Sequence, residues 1–227
     1  VVALVVLIAL AGGALFVLTP SAGQATARAQ ALAQQRHITY SGPTVPQYFA
    51  QALVATEDHR FYSDPGIDPF AMARAALSWI IRRQDQGGST IDQQLAKNLY
   101  TSGHSGFTQD FEQLALAVKL NRSYSRAEIL SLYAEVAYYG HGYYGLRAAS
   151  CGYFGHPPAQ LTLVQAAMLA GVVNAPTYDD PLNYPAQARA RLVHVIGRMA
   201  AVGYLTGAEQ AAALKAPLGL SAVRGCE

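Results

Sequence analysis

Two hydrophobic regimes divide this chain. From Val1 to Leu18 every residue is Ala, Val, Leu, Ile, Phe or Gly. A helix of that length rises about 27 Å, close to the hydrocarbon thickness of a bilayer, so residues 1–18 are expected to form a transmembrane anchor. Residues 19–43 follow as a small, polar, Ala/Gln-rich juxtamembrane segment, helical towards its end. Beyond Pro43 the pattern is helical almost throughout. Phe49, Leu53 and Val54 give one apolar face that leads to Glu57-Asp58, and Phe70 to Ile81 repeats apolar residues at helical spacing. Gly87-Gly88 breaks the chain, and Ser89 with Asp92 fits a capping box for the next helix. Leu114–Leu120 and Ile129–Val136 read as two more helices, the second opened by Ser125 and Glu128. Thr162 and Gln165 open another, ended by Gly171 and followed by Pro176, and Val193–Leu205 is a further amphipathic segment. Period-2 alternation is nearly absent and no internal repeat is evident. The expectation is a mainly α domain over 44–215 with a tail over 216–227, behind one N-terminal transmembrane helix.

Composition sharpens this. The chain is 52% hydrophobic and 13% charged, against roughly 25% charged residues in an average domain, and no Asp, Glu, Lys or Arg precedes Arg28. Disorder is excluded, and a purely cytosolic placement is disfavoured. The roughly 200 residues after the apolar start suffice for one sizeable core. A net charge of +2 without any basic run gives no footprint for nucleic acid. The apolar start also resembles a signal peptide, with Ala25-Thr26-Ala27 as a cleavage site, but it lacks a basic n-region. That missing flank fits a chain beginning inside a longer protein. Cys151 and Cys226 cannot make a disulfide framework; whether they form a single bridge is left open by the sequence.

Several motifs fail on context. Gly140-His141-Gly142-Tyr143-Tyr144-Gly145 matches the dinucleotide pattern, but a helix precedes it and no acid follows until Asp179. The six histidines lack metal-ligand spacing, and there is no nucleophile elbow, P-loop or SxxK. Two stretches carry more. Glu57 and Asp58 end an apolar helix, where the macrodipole disfavours acids. From Gly87 to Asn98, Gln93 and Lys97 share a helix face one turn apart, behind an N-terminus whose N–H groups suit anions.

Together these stretches resemble glycosyltransferase family 51, the glycan-polymerising domain of class A penicillin-binding proteins and of single-domain enzymes. The family's Glu-Asp-x-x-Phe-x-x-His-x-Gly is met by Glu57 to Gly66, and its Gly-x-Ser-Thr-Ile-Thr-Gln-Gln-Leu-x-Lys-Asn by Gly87 to Asn98. Similarity continues through Tyr124–Tyr133, Tyr138–Gly145, Tyr153-Phe154-Gly155, Ala175-Pro176 and Arg191 to Met199, on to Gly203-Tyr204. The resemblance implies a lysozyme-like helical fold and elongation of glycan strands from lipid II. The acceptor 4-hydroxyl attacks C1 of the lipid-linked donor with inversion, and undecaprenyl pyrophosphate leaves. By motif position Glu57 is the catalytic base and Lys97 faces a phosphate, with Asp58, Ser89, Thr90, Gln93 and Gln94 lining the substrate cleft. No cofactor is required, although the family admits a divalent metal at the pyrophosphate. The implied partners are lipid II, the nascent glycan strand, the membrane and other cell-wall synthesis proteins. The implied location is the bacterial cytoplasmic membrane, single-pass, with the domain on the outer face.

The departures from the family are concentrated in its chemistry. Its Arg-Lys-x-x-Glu becomes Gln109-Asp110-Phe111-Glu112-Gln113, so the second catalytic Glu is Gln113 and both basic residues are gone. A further basic position is Ser105, the first motif's His is Asp64, and the fourth motif's Leu-Asn is Ala134-Glu135. Each charge-assisted hydrogen bond lost removes about 1.5–3 kcal/mol of pyrophosphate binding. Weakened or abolished polymerisation is therefore expected. A degenerate domain binding lipid II, glycan or a cell-wall partner is the alternative, and a lytic muramidase a third. Glu112 and Glu135 are the candidates to replace the missing carboxylate, although Glu135 reads more readily as a surface acid. Seven of the 14 tyrosines fall between Tyr124 and Tyr153, where they suit a membrane interface, sugar stacking or the core.

Overall fold

The computed structural model describes residues 13, 14, 16–42, 44–68, 89–104, 106–221 and 226, without the side chain of residue 107. Most of the expected anchor, the expected helix over 70–81, Gly87-Gly88 and Ser105 lie outside these residues. No described helix is long and apolar enough to cross a membrane. The described chain is mainly helical: α1 (Ala25–Gln35), α2 (Gln47–Glu57), α3 (Ile91–Tyr100), α4 (Phe107–Ser123), α5 (Arg126–Val136), α6 (Leu146–Phe154), α7 (Leu163–Val172), α8 (Pro185–Ala201) and α9 (Gly207–Lys215). Among the described residues the only extended pairing is an isolated antiparallel bridge between Tyr138 and Tyr144.

The chain divides into two compact units, Val1–Arg28 with Arg60–Ile129, and Ala29–His59 with Leu130–Glu227. In the first unit α3 packs on α4. Ile91, Leu95 and Leu99 of α3 and Leu116 and Leu120 of α4 are buried, each Leu contributing about 1.5–3 kcal/mol by leaving water. A short 3₁₀ turn, Ala22–Gln24, lies against α4. Lys119 Nζ donates to Thr19 O at 2.7 Å and Tyr100 Oη to Ser21 O at 3.2 Å, so the stretch read as juxtamembrane is docked here rather than trailing. The cap of α3 sits one residue beyond its expected place. Thr90 and Gln93, not Ser89 and Asp92, form the capping box. Gln reaches back to the cap N–H with a longer arm than Asp, which decides between two registers of equal spacing.

In the second unit α7 is the core helix. Every residue from Val164 to Val172 is buried, as an all-round apolar helix must be. It packs on α2 and α8. α2 brings Phe49, Leu53 and Val54; α8 brings Ala188, Leu192, Val195, Ile196 and Met199, a stripe at helical spacing. α8 begins at Pro185, eight residues ahead of the apolar pattern, because proline in the first turn gives up an N–H that would be unpaired anyway. The Cys151–Cys226 bridge is formed, with Cα atoms 5.0 Å apart, and ties the C-terminal tail to α6.

Candidate active site

In the second unit α2 ends at Glu57, which has a cationic neighbour. Arg191 Nη2 donates to Glu57 Oε1 at 2.8 Å, and its Nε to Gly171 O at 3.1 Å. One repeat further along α8, Arg198 Nε donates to Ala55 O at 3.2 Å. Two guanidinium groups seven residues apart on one face of α8 thus meet the negative end of α2 and offset the macrodipole conflict. The Glu57 side chain is 8% exposed and that of Arg191 18%, so the pair is largely withdrawn from water. Tyr133 is buried, and burial, with the Glu57 carboxylate next, pushes its phenol well above the ordinary range. His194 is lowered by burial and then by Arg191 and Arg198. Asp58 caps α2 through its N–H to Val54 O and is itself buried.

In the first unit the second motif is folded around its cap. Thr90 Oγ1 accepts the Gln93 N–H at 3.2 Å and donates to Gly66 O at 2.7 Å; Gln93 Oε1 accepts the Thr90 N–H at 2.8 Å. Thr90 and Gln93, expected to line a cleft, are therefore spent on one another and on the first motif's loop. Ser89 is exposed, and Gln94 and Lys97 are half-exposed on α3. Gly66 has φ +93°, and a Cβ there would lie 2.6 Å from Ala117 O, so only glycine fits.

Most of the described departures from the family have polar partners. Asp64, standing where the family has His, accepts the Gly66 N–H at 2.8 Å and takes the Arg126 guanidinium on its carbonyl. Asp92, where the family has Thr, is buried; Asn121 donates to it at 3.3 Å and Arg126 Nη1 lies 3.6 Å away. Burial pushes the Asp92 carboxyl up to about 6, against the pull of Asn121 and Arg126. Gln113 is buried, its Nε2 donating to Thr101 Oγ1 and to His104 O, both at 3.0 Å. Gln109 accepts from Thr108 and Asp110 from the Gly106 N–H, while Glu112 is half-buried.

Glu135 is not a surface acid. In the second unit it is buried and accepts from Ser41 Oγ at 2.8 Å and Ser41 N at 3.3 Å. It lines a cavity of about 190 Å³ with Ile38, Tyr144, Arg147 and both half-cystines, and Glu57 is not in that lining.

Arg191, Arg198 and Tyr133 are the site residues that sequence reasoning missed. The seven-residue spacing of the two arginines on an apolar-striped helix was the available signal. Of the seven clustered tyrosines, Tyr133, Tyr139 and Tyr153 are buried.

The chain belongs to the transglycosylase family, which it matches over residues 23–200. It is 38% identical over 176 residues to a protein of Cupriavidus necator that carries a transglycosylase name, covering 78% of this chain and 76% of that one. It is 38% identical to penicillin-binding protein 1A of Aquifex aeolicus, over 81% of this chain and 26% of the relative. It is 36% identical to penicillin-binding protein 1F of Bacillus subtilis, over 78% and 25%. The chain therefore spans about a quarter of the length of these penicillin-binding proteins. A crystal structure of penicillin-binding protein 1A from Haemophilus influenzae aligns with a TM-score of 0.41 and 29% identity, over 60% of this chain and 17% of that one.

Proposed function

We propose that this chain is a membrane-anchored peptidoglycan glycosyltransferase with a lysozyme-like domain, which polymerises lipid II on the outer face of the cytoplasmic membrane at a reduced rate. The observation that carries this is the Arg191–Glu57 pair at 2.8 Å, which holds the first motif's carboxylate in one orientation. In this reading Glu57 takes the proton of the acceptor 4-hydroxyl as its oxygen forms the bond to C1 of the donor. The C1–O bond to the pyrophosphate breaks with inversion, and the electron pair leaves with undecaprenyl pyrophosphate. Lys97 supplies positive charge to the leaving group. The reduced rate follows from Gln109 and Asp110, which stand where the family has two basic residues and bring no positive charge, and from Gln113, which stands in place of the second catalytic Glu. Bound metal would add counter-charge at the pyrophosphate. The buried Asp64 and Asp92, whose carboxylate oxygens lie within 4.8 Å of one another, would be the residues to hold it, and no step is routed through it.

The test is polymerisation of purified lipid II by the full chain in detergent, alongside Glu57→Gln and Gln113→Glu. Slow polymer from the unmodified chain and none from Glu57→Gln is expected. Saturable lipid II binding without polymer would leave a binding domain, and release of muropeptides from sacculi a muramidase. Gln113→Glu is expected to lose stability and not to gain rate. Its carboxylate cannot donate to His104 O, and losing that hydrogen bond costs about 0.5–1.5 kcal/mol.

A further inference from the structure

The loop that leads into α8 carries two exposed aromatic rings. Tyr178 is 62% exposed and Tyr184 43%, and their rings stack with centroids 6.3 Å apart and planes 21° from parallel. They form an exposed aromatic pair on the surface of the second unit.

That pair stands on a rigid base. Asp180 is 1% exposed, and its carboxylate organises the loop. Oδ1 accepts the Leu182 N–H at 2.9 Å and lies 3.4 Å from Tyr153 Oη, which donates to Tyr139 O. Oδ2 accepts from Asn183 Nδ2 at 2.6 Å and pairs with His141 Nδ1 at 3.2 Å. The Tyr184 N–H is bonded to Asp180 O at 2.7 Å, and Tyr178 N–H to Ala175 O at 2.9 Å. Pro176 O presses on Gly140, whose φ is +78° and where any Cβ would collide. Two hydrophobic rings are thus held apart from the core by a buried, fully bonded carboxylate. Fixing rings in advance lowers the ordering cost of binding whatever covers them.

The position relative to Glu57 identifies the occupant. Tyr184 is the N-cap of α8, and Arg191, the partner of Glu57, follows seven residues later on the same helix face. Two helical turns separate them by about 10.5 Å, the order of one disaccharide repeat. Asp179, between the two tyrosines, feels the Arg191 charge against the burial that raises it. A β-1,4-linked pyranose with equatorial substituents presents a face of C–H bonds. Those hydrogens complement the negative face of an aromatic ring, while the phenol hydroxyls reach the sugar's edge.

We propose that Tyr178 and Tyr184 offer an aromatic stacking surface for a sugar ring of the glycan strand, about two helical turns along α8 from the arginine that holds Glu57. This rests on the glycosyltransferase reading above, and it places sugar stacking outside the tyrosine cluster of residues 124–153.

The probe is chitotetraose, a soluble β-1,4-linked N-acetylglucosamine oligomer, titrated by calorimetry into the full chain in detergent. Tyr178→Phe/Tyr184→Phe keeps the rings and is expected to bind within about threefold of the unmodified chain, hydroxyl contacts being the part removed. Tyr178→Ala/Tyr184→Ala is expected to lose roughly tenfold or more, the product of two aromatic contacts. An unchanged melting temperature in the alanine variant shows that the loop has not simply unfolded. Undetectable binding by the unmodified chain, or equal binding by the alanine variant, overturns the stacking surface. So does a loss confined to liposome binding or to self-association. A chain that makes no polymer yet binds chitotetraose through these rings refutes the polymerase and keeps the stacking surface. Polymer formation with ring-independent binding does the reverse.

Discussion

Replacing Arg191 by Gln tests whether the Glu57 carboxylate depends on one distant cation. The two groups are 134 residues apart in sequence and meet at 2.8 Å with little solvent. Removing one partner of a fully buried pair costs about 3–5 kcal/mol, because the other charge is left without compensation. Some exposure remains at both side chains, which lowers the expectation to about 2–4 kcal/mol. The Nε bond to Gly171 O is lost as well, adding about 1 kcal/mol. Glu57→Gln leaves an Arg that still bonds to Gly171, so its cost is expected to be smaller. In the double variant no carboxylate is stranded, and the two costs should fall short of additivity by about 1–2 kcal/mol. Urea denaturation at pH 7.5 with equal slopes for all four proteins gives this coupling. A second readout is His194, whose imidazole is lowered in part by Arg191 and should titrate at higher pH in Arg191→Gln. Additive costs within about 0.5 kcal/mol, together with an unmoved His194, would refute the pairing.

Two further outcomes are expected. Cys226→Ala, or reduction of the bridge, reopens a 75-residue loop and should lower stability by up to about 4–5 kcal/mol, read as a fall in melting temperature; indifference to reductant would contradict the bridge. Asp92 carries a folded-state pKa of about 6 against an ordinary 3.8, so the folded chain binds more protons between those values and this group's contribution falls as pH rises. The loss is about 3 kcal/mol between roughly pH 4 and pH 6. Asp92→Asn should abolish that slope and be the more stable protein at pH 7.5, and parallel pH profiles for the two would argue against the burial effect.

What the sequence displayed was what is local. α7 reads from its apolar run and from Thr162 and Gln165, because cap and core lie within ten residues. The start of α8 was hidden, since its first two turns are polar and only Pro185 marks them. The family's carboxylate was legible at Glu57 from motif spacing, but its anchor was not, because Arg191 comes from another helix and looks like any solvated arginine. The Cys151–Cys226 pairing is likewise a matter of distance rather than pattern. Glu135 follows the same logic. An acid late in a helix resembles surface, and only the return of Ser41 across 94 residues gives it a buried partner.

The lost family residues can be weighed on the same terms. Decay under relaxed constraint leaves buried polar groups without partners, and each costs about 1–3 kcal/mol. Here Gln113 donates twice, Asp64 holds the Gly66 turn, and Glu135 accepts twice from Ser41. Each substitution has acquired neighbours that suit its own chemistry and would not suit the residue it replaces. A carboxylate at 113 would face the His104 carbonyl, and an amide at 135 would give up the charge that both Ser41 bonds now meet. Restoring family residues at 113 or 135 one at a time therefore works against the present hydrogen bonding, whereas Asp92 keeps a buried oxygen and its Arg126 neighbour a buried nitrogen without hydrogen-bond partners.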